Sequence, residues 1–159
     1  MQQKKKIVID LDVVTVAFWD NKGKNVELAR KIITRIENKE FYLGTPFLII
    51  ELVLKWKHET LKRNIEEFYV RNSNKLFTDT EIKEKCIEIN VDYENVLDKL
   101  ENVGIKREDA ALVLVASIFS FDYLVTFNRI HLRNKKEEAN KILKECKLPT
   151  IEIVGPEEL

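Results

Sequence analysis

The sequence predicts an α/β fold in which a mostly parallel sheet is flanked by helices in three layers. Short apolar runs rich in β-branched residues alternate with stretches of helical spacing along the whole chain, as strands joined by crossover helices do. Two helical stretches, "FLIIELVL" (Phe47–Leu54) and "DAALVLVASIF" (Asp109–Phe119), are apolar on nearly every side, which calls for burial on most of their surface. No internal repeat, low-complexity segment or Pro/Gly-rich linker interrupts the chain, so residues 1–159 are expected to form a single domain.

Taken in order, Lys5–Asp10 reads as a buried strand, a short β-branched run with charges at both ends. Asn25–Glu37 has helical spacing, with Val26, Ala29, Ile32, Ile33 and Ile36 on one side. "FYLGTP" (Phe41–Pro46) reads as a strand running into a helix, with Thr45 as N-cap and Pro46 at the first helical position. That helix is expected to continue through "FLIIELVLKWKH", with another over Leu61–Val70. "KLFT" (Lys75–Thr78) predicts a strand, "DTEIKEKCIEI" a helix with Asp79 near its start, and Tyr93–Val103 a helix stopped by Gly104. A buried helix through "EDAALVLVASIFSF", a strand at Tyr123–Thr126, an amphipathic helix in "NKKEEANKILKEC" and a last strand at Ile151–Val154 complete the pattern.

The chain carries 27 basic and 27 acidic residues, so its formal net charge is zero and contact with nucleic acid would need a local basic patch. A composition of 45% hydrophobic and 34% charged residues excludes a disordered chain. Cys86 and Cys146 have no metal-ligating neighbour at short spacing and read as reduced thiols. The opening "MQQKKKIVID" does not resemble an export signal and no apolar run reaches membrane-spanning length, so a cytoplasmic protein without a membrane partner is expected.

The chemistry lies in carboxylates at unusual positions. Glu51 is the only charge in "FLIIELVL", and a buried acid must be paired, neutralised or used as a ligand or catalyst. A salt bridge to a lysine is the plain alternative. Asp109 opens the second apolar helix, where an acid can also serve as cap and dipole partner. Asp10 ends the first strand, and Asn128 follows "YLVT". In a parallel sheet the C-terminal strand ends and the helix N-termini share one edge, where ligands bind. Asp10, Glu51, Asp109 and Asn128 are therefore expected at one place. Three converging carboxylates repel unless a cation joins them, and oxygen-only donors suit magnesium or manganese.

This arrangement resembles the PIN-domain nucleases, the family that includes the VapC toxins of prokaryotic toxin–antitoxin pairs. The resemblance rests on "IVIDLDVV", on "PFLIIEL", on "EDAALVLVAS", on "DYLVTFNRIHL" and on the closing "IEIVGPEEL", in the family's order from Lys6 to Leu159. It implies a three-layer PIN-like fold and an endoribonuclease in which Asp10, Glu51 and Asp109 bind one or two Mg2+ or Mn2+ ions. Those ions would generate hydroxide for attack on an RNA phosphodiester, leaving a 5′-phosphate and a 3′-hydroxyl. Thr126 and Asn128 would orient water or a ligand at the same site. Small stand-alone members are often toxins, commonly homodimeric and silenced by an antitoxin protein. Two positions depart from the family: Asp12 replaces the usual Asn or Ser, and Asn128 stands where many members have Asp. Asp12 then either adds an acid to the site or hydrogen-bonds the backbone.

Beyond Asn128, "RIHLRNKK" supplies Arg129, His131 and Arg133 as RNA contacts, with a solvated charged face as the alternative. "KWKHETLKR" is a second basic stretch whose Trp56 is either a base-stacking or a half-buried residue. His58 and His131 read as surface or capping histidines. Two rival functions remain. A PIN fold kept only for binding RNA or protein would share these residues. A haloacid-dehalogenase-like phosphatase would use Asp10 as nucleophile and Asp12 as general acid, with Thr45 as its hydroxyl. It would lack the late acids after a strand and leave Glu51 unexplained.

Overall fold

The computed structural model describes residues 3–19 and 22–159; Met1 and Gln2 of the opening "MQQKKK" lie outside them. Five strands, β1 (Lys5–Ile9), β2 (Phe41–Pro46), β3 (Lys75–Phe77), β4 (Tyr123–Val125) and β5 (Glu152–Val154), form one sheet in the order β3-β2-β1-β4-β5. Every pairing in it is parallel, so the sheet is wholly rather than mostly parallel. The chain steps outward from β1 through β2 to β3, then crosses back to lay β4 on the other side of β1. Right-handed crossovers in opposite directions put their helices on opposite faces. One face carries α1 (Leu11–Phe18), α2 (Lys24–Glu37), α3 (Phe47–Leu54) and α4 (Glu59–Asn72); the other carries α5 (Asp79–Glu88), α6 (Tyr93–Asn102), α7 (Arg107–Ile118) and α8 (Lys136–Glu145). No helix among the described residues is long and apolar enough to cross a membrane.

The central strand explains its own burial. Ile7, Val8 and Ile9 are sealed on both faces, as the middle strand of a covered parallel sheet must be. Above it α7 is buried from Ala110 to Ile118, which accounts for its lack of a polar stripe. Helix α6 ends just before Gly104, whose φ of +96° turns the chain out of the helix as its position in the sequence predicts.

Several local expectations give way. The sequence pattern assigns no element to Leu11–Phe18; the helix forms there because Val13, Val14 and Ala17 share a buried face against α2 and α4. Thr45 does not cap α3. It belongs to β2, and its buried hydroxyl pairs with Ser73 Oγ at 2.7 Å, while the extended Pro46 precedes the helix. Helix α3 stops at Leu54, immediately before "KWKH", and only Ile49, Ile50 and Val53 are buried on it. His58 then starts α4 by accepting the Leu61 N–H on Nδ1, in the capping role expected of it.

A β-carbon at Gly44 would overlap the buried ring of Phe121, which stands edge-on to Phe77. Gly44→Ala is therefore expected to destabilise the fold by about 1–3 kcal/mol through overpacking. Urea denaturation should show this loss, and Phe121→Leu added to Gly44→Ala should recover part of it.

Candidate functional site

The reversal of strand order falls between β1 and β4, and the crevice outside their C-terminal ends is where an open parallel sheet binds ligands. Asp10 follows β1 directly, and Thr126 follows β4. Pairing of Ile9 with Val125, continued by the Asp10 N–H to the Val125 carbonyl at 2.8 Å, sets the two side by side. Asp10 occupies the N-cap position of α1, but its carboxylate faces Thr126 instead of closing a capping hydrogen bond. The fully buried Thr126 hydroxyl donates to Asp10 Oδ2 at 2.8 Å and also lies 3.3 Å from Asp12 Oδ2.

Asp12 projects from the first turn of α1, and its Oδ2 accepts the Phe127 N–H at 3.1 Å. Asp12 thus bonds the backbone, and its carboxylate shares the Thr126 hydroxyl with that of Asp10. Its Oδ1 is buried, with no hydrogen-bond partner among the described residues. From α7 comes Asp109, in the first turn but not capping the helix, whose N-cap position is Lys106. The Asn128 side-chain amide donates to Asp109 Oδ2 at 3.4 Å, the Asn128 N–H donates to Thr126 Oγ1, and Asn128 Oδ1 accepts the His131 N–H. An aspartate at 128 could not donate to Asp109, so the amide holds the third acid where a further charge would repel it.

These acids lie beside a cavity of about 390 Å3 whose lining includes Asp10, Asp12, Asp109, Leu48, Leu52 and Trp56. Its apolar walls disfavour charge. Burial raises the Asp10 pKa, opposed by the Thr126 hydrogen bond and the nearby N–H groups of Leu11 and Asp12. Burial and the Asp10 charge push Asp12 up to about 7. Burial and Asp10 push Asp109 up to about 6, with Lys106 and His131 pulling the other way. On the opposite side of Asp10, the fully buried Tyr69 of α4 donates its hydroxyl to the Ile9 carbonyl at 3.1 Å, and burial beside Asp10 and Asp12 raises its pKa.

The remaining predicted residues are placed differently. Glu51 is half-buried one turn after Leu48, outside the residues lining the cavity, and among the described residues it has no hydrogen-bond or ion-pair partner. The alternative reading, a lysine salt bridge, is not met among the described residues, and the premise of deep burial is corrected because α3 leaves Phe47 and Leu54 exposed. Arg129 is open, with its side chain 68% exposed and 3.6 Å from Glu157. Arg133 is only 13% exposed and is held by Glu157 at 2.6 Å and Glu158 at 3.1 Å, so those acids compete with any phosphate for it. His131 is half-buried beside the Asn128 turn. Thr45, paired with Ser73, does not line the cavity, which removes the hydroxyl that the phosphatase reading requires. Sequence reasoning missed Tyr69 and the Phe127 N–H; the spacing of Leu61, Ile65, Phe68 and Tyr69 along one face of α4 was the signal for the first.

Two features suit a divalent cation. The donors are all oxygens, as magnesium and manganese prefer, and Asp12 Oδ1 lacks the partner a cation would supply. Among the described residues no three His, Cys, Asp or Glu side chains are gathered as a ready-made metal cage, so the implied triad of Asp10, Glu51 and Asp109 is not closed as it stands. No protein-family model matches the chain, and no curated protein matches it.

The raised pKa values make a stability prediction. Between the ordinary value of 3.8 and the folded values of about 7 and 6, the folded chain keeps protons on Asp12 and Asp109 that the unfolded chain has lost. Their contribution is thus greatest at low pH, falls as pH rises through these values, and levels off above them. In EDTA, Asp12→Asn is expected to raise the melting temperature at pH 8 by about 3–8 °C, a gain that shrinks toward pH 5. Differential scanning calorimetry at the two pH values checks both the sign and the trend.

Proposed function

We propose that the protein is a metal-dependent endoribonuclease of the PIN class. The observation that carries this reading is that Asp10, Asp12 and Asp109 line one cavity at the switch point of the parallel sheet, with Asp12 Oδ1 buried and unpartnered among the described residues. Asp10, Asp12 and Asp109 would hold Mg2+ or Mn2+, with Glu51 of α3 as the further acid that the family resemblance implies. Such a cation lowers the pKa of bound water and neutralises charge developing on a phosphodiester. Thr126 keeps Asp10 and Asp12 in position, and the Asn128 amide orients Asp109. Arg129 and His131 are set to meet the RNA backbone on the β4 side of the site. A role as the toxin of a toxin–antitoxin pair, a homodimer and an antitoxin partner follow from the resemblance alone.

Cleavage of single-stranded and hairpin RNAs with Mg2+ or Mn2+ tests the reading. Asp109→Asn is expected to lower the rate by about two to four orders of magnitude without unfolding the chain. Glu51→Gln is expected to lower it as well; full activity in that variant would restrict the acid set to Asp10, Asp12 and Asp109. A native protein that binds RNA but never cuts it would leave the binding-module reading in its place.

A further inference from the structure

We infer that the apolar part of the acid-bearing cavity is a nucleobase subsite, with Trp56 as its stacking surface. The inference rests on the ribonuclease reading and adds to it the group that selects the strand. The cavity that bears Asp10, Asp12 and Asp109 is also lined by Leu48, Leu52, Leu112 and Trp56, so carboxylates and a broad apolar wall share one space of about 390 Å3. A metal site alone needs no such wall. An RNA strand presents both parts required to fill it, an anionic phosphate and, next to it, a flat apolar base.

Trp56 is suited to that role by its setting. Its backbone is anchored where α3 ends, through its N–H to the Val53 carbonyl at 3.0 Å. The side chain is half-buried, and among the described residues no aromatic ring stacks on it. Lys55 and Lys57 flank it, both exposed and without a carboxylate at ion-pair distance among the described residues. Arg71, Arg107, Arg133 and Lys136, by contrast, each pair with acids. The two lysines adjoin Trp56 in the chain, exposed and open to the phosphates that flank a stacked base. This charge pattern favours a nucleic-acid strand over a protein segment. Base–aromatic stacking tolerates any base, but a base held in a duplex cannot enter.

The test uses the full chain carrying Trp19→Phe, which leaves Trp56 as the only tryptophan, together with Asp109→Asn to keep RNA intact. A single-stranded oligoribonucleotide is expected to quench Trp56 fluorescence to saturation, and the same sequence in a blunt duplex is not. In binding followed by anisotropy, Trp56→Ala should weaken the single strand by about 10–100-fold, with Trp56→Phe recovering part of it. In the cleaving protein the same loss should fall on KM more than on kcat. RNA that binds without changing Trp56 fluorescence, equal quenching by duplex, or no RNA binding at all would overturn the subsite. Quenching that follows protein concentration alone, with a doubled mass in sedimentation, would assign this face to a second copy of the chain and overturn it too. Cleavage unaffected by Trp56→Ala withdraws the subsite and leaves the nuclease; saturable quenching with no cleavage by native protein does the reverse.

Discussion

One buried hydroxyl, that of Thr126, stands between two carboxylates, and the arrangement of the site depends on it. Asp10 and Asp12 would repel each other in an apolar crevice, yet both lie within hydrogen-bonding distance of Thr126 Oγ1. That contact exists only because β4 pairs with β1 in a register that matches Ile9 with Val125. The same register starts α1 at Leu11, where it turns Asp12 toward the Phe127 N–H. Tyr69 braces the strand end by bonding the Ile9 carbonyl. Like charges held this closely in low dielectric oppose folding, and the chain tolerates them through a few well-made hydrogen bonds.

The turn after β4 extends the arrangement to the third acid. Asn128 both donates to Asp109 and accepts from His131, so a single side chain ties α7 to the loop that carries the basic residues. Beyond that loop, Glu157 and Glu158 at the chain's end draw Arg133 inward. The short 3-10 turn over Pro156–Glu158 holds these acids, and Glu158 also accepts the Gly155 N–H. The basic segment "RIHLRNKK" is therefore not a uniform positive face: Arg133 acts as a brace, while Arg129 stays open. Net positive potential at the site is smaller than the residue types alone would suggest.

Helix α3 shows how a fold element and a binding wall can be the same object. Its Ile49, Ile50 and Val53 enter the core, whereas Leu48 and Leu52 face the acid-bearing cavity and Phe47 and Leu54 reach the surface. The apolar run on either side of Glu51 reflects two apolar contacts on different sides, one of them with the cavity. This differs from α7, which is apolar because the sheet and neighbouring helices enclose it from Ala110 to Ile118. Two helices of nearly the same composition therefore have different neighbours.

Much of this was legible in the amino-acid sequence because it rests on local chemistry. Alternation of β-branched runs with helical spacing determined the parallel α/β class, Gly104 determined where α6 stops, and acids at strand and helix ends marked Asp10 and Asp109. What depended on distant partners was not legible. Helix α1 forms from a β-favouring segment because α2 and α4 bury one side of it; Thr45 turns from a cap to a partner of Ser73; Arg133 finds its acids 24 and 25 residues away. Glu51 looked buried because its neighbours are apolar, and only packing could decide that α3 is half open. The sequence by itself determined which acids stand at the ends of strands and helices, since backbone geometry puts them there. Only the tertiary structure decided which of them meet and what else lines their cavity, because register, crossover direction and burial are properties of the assembled chain.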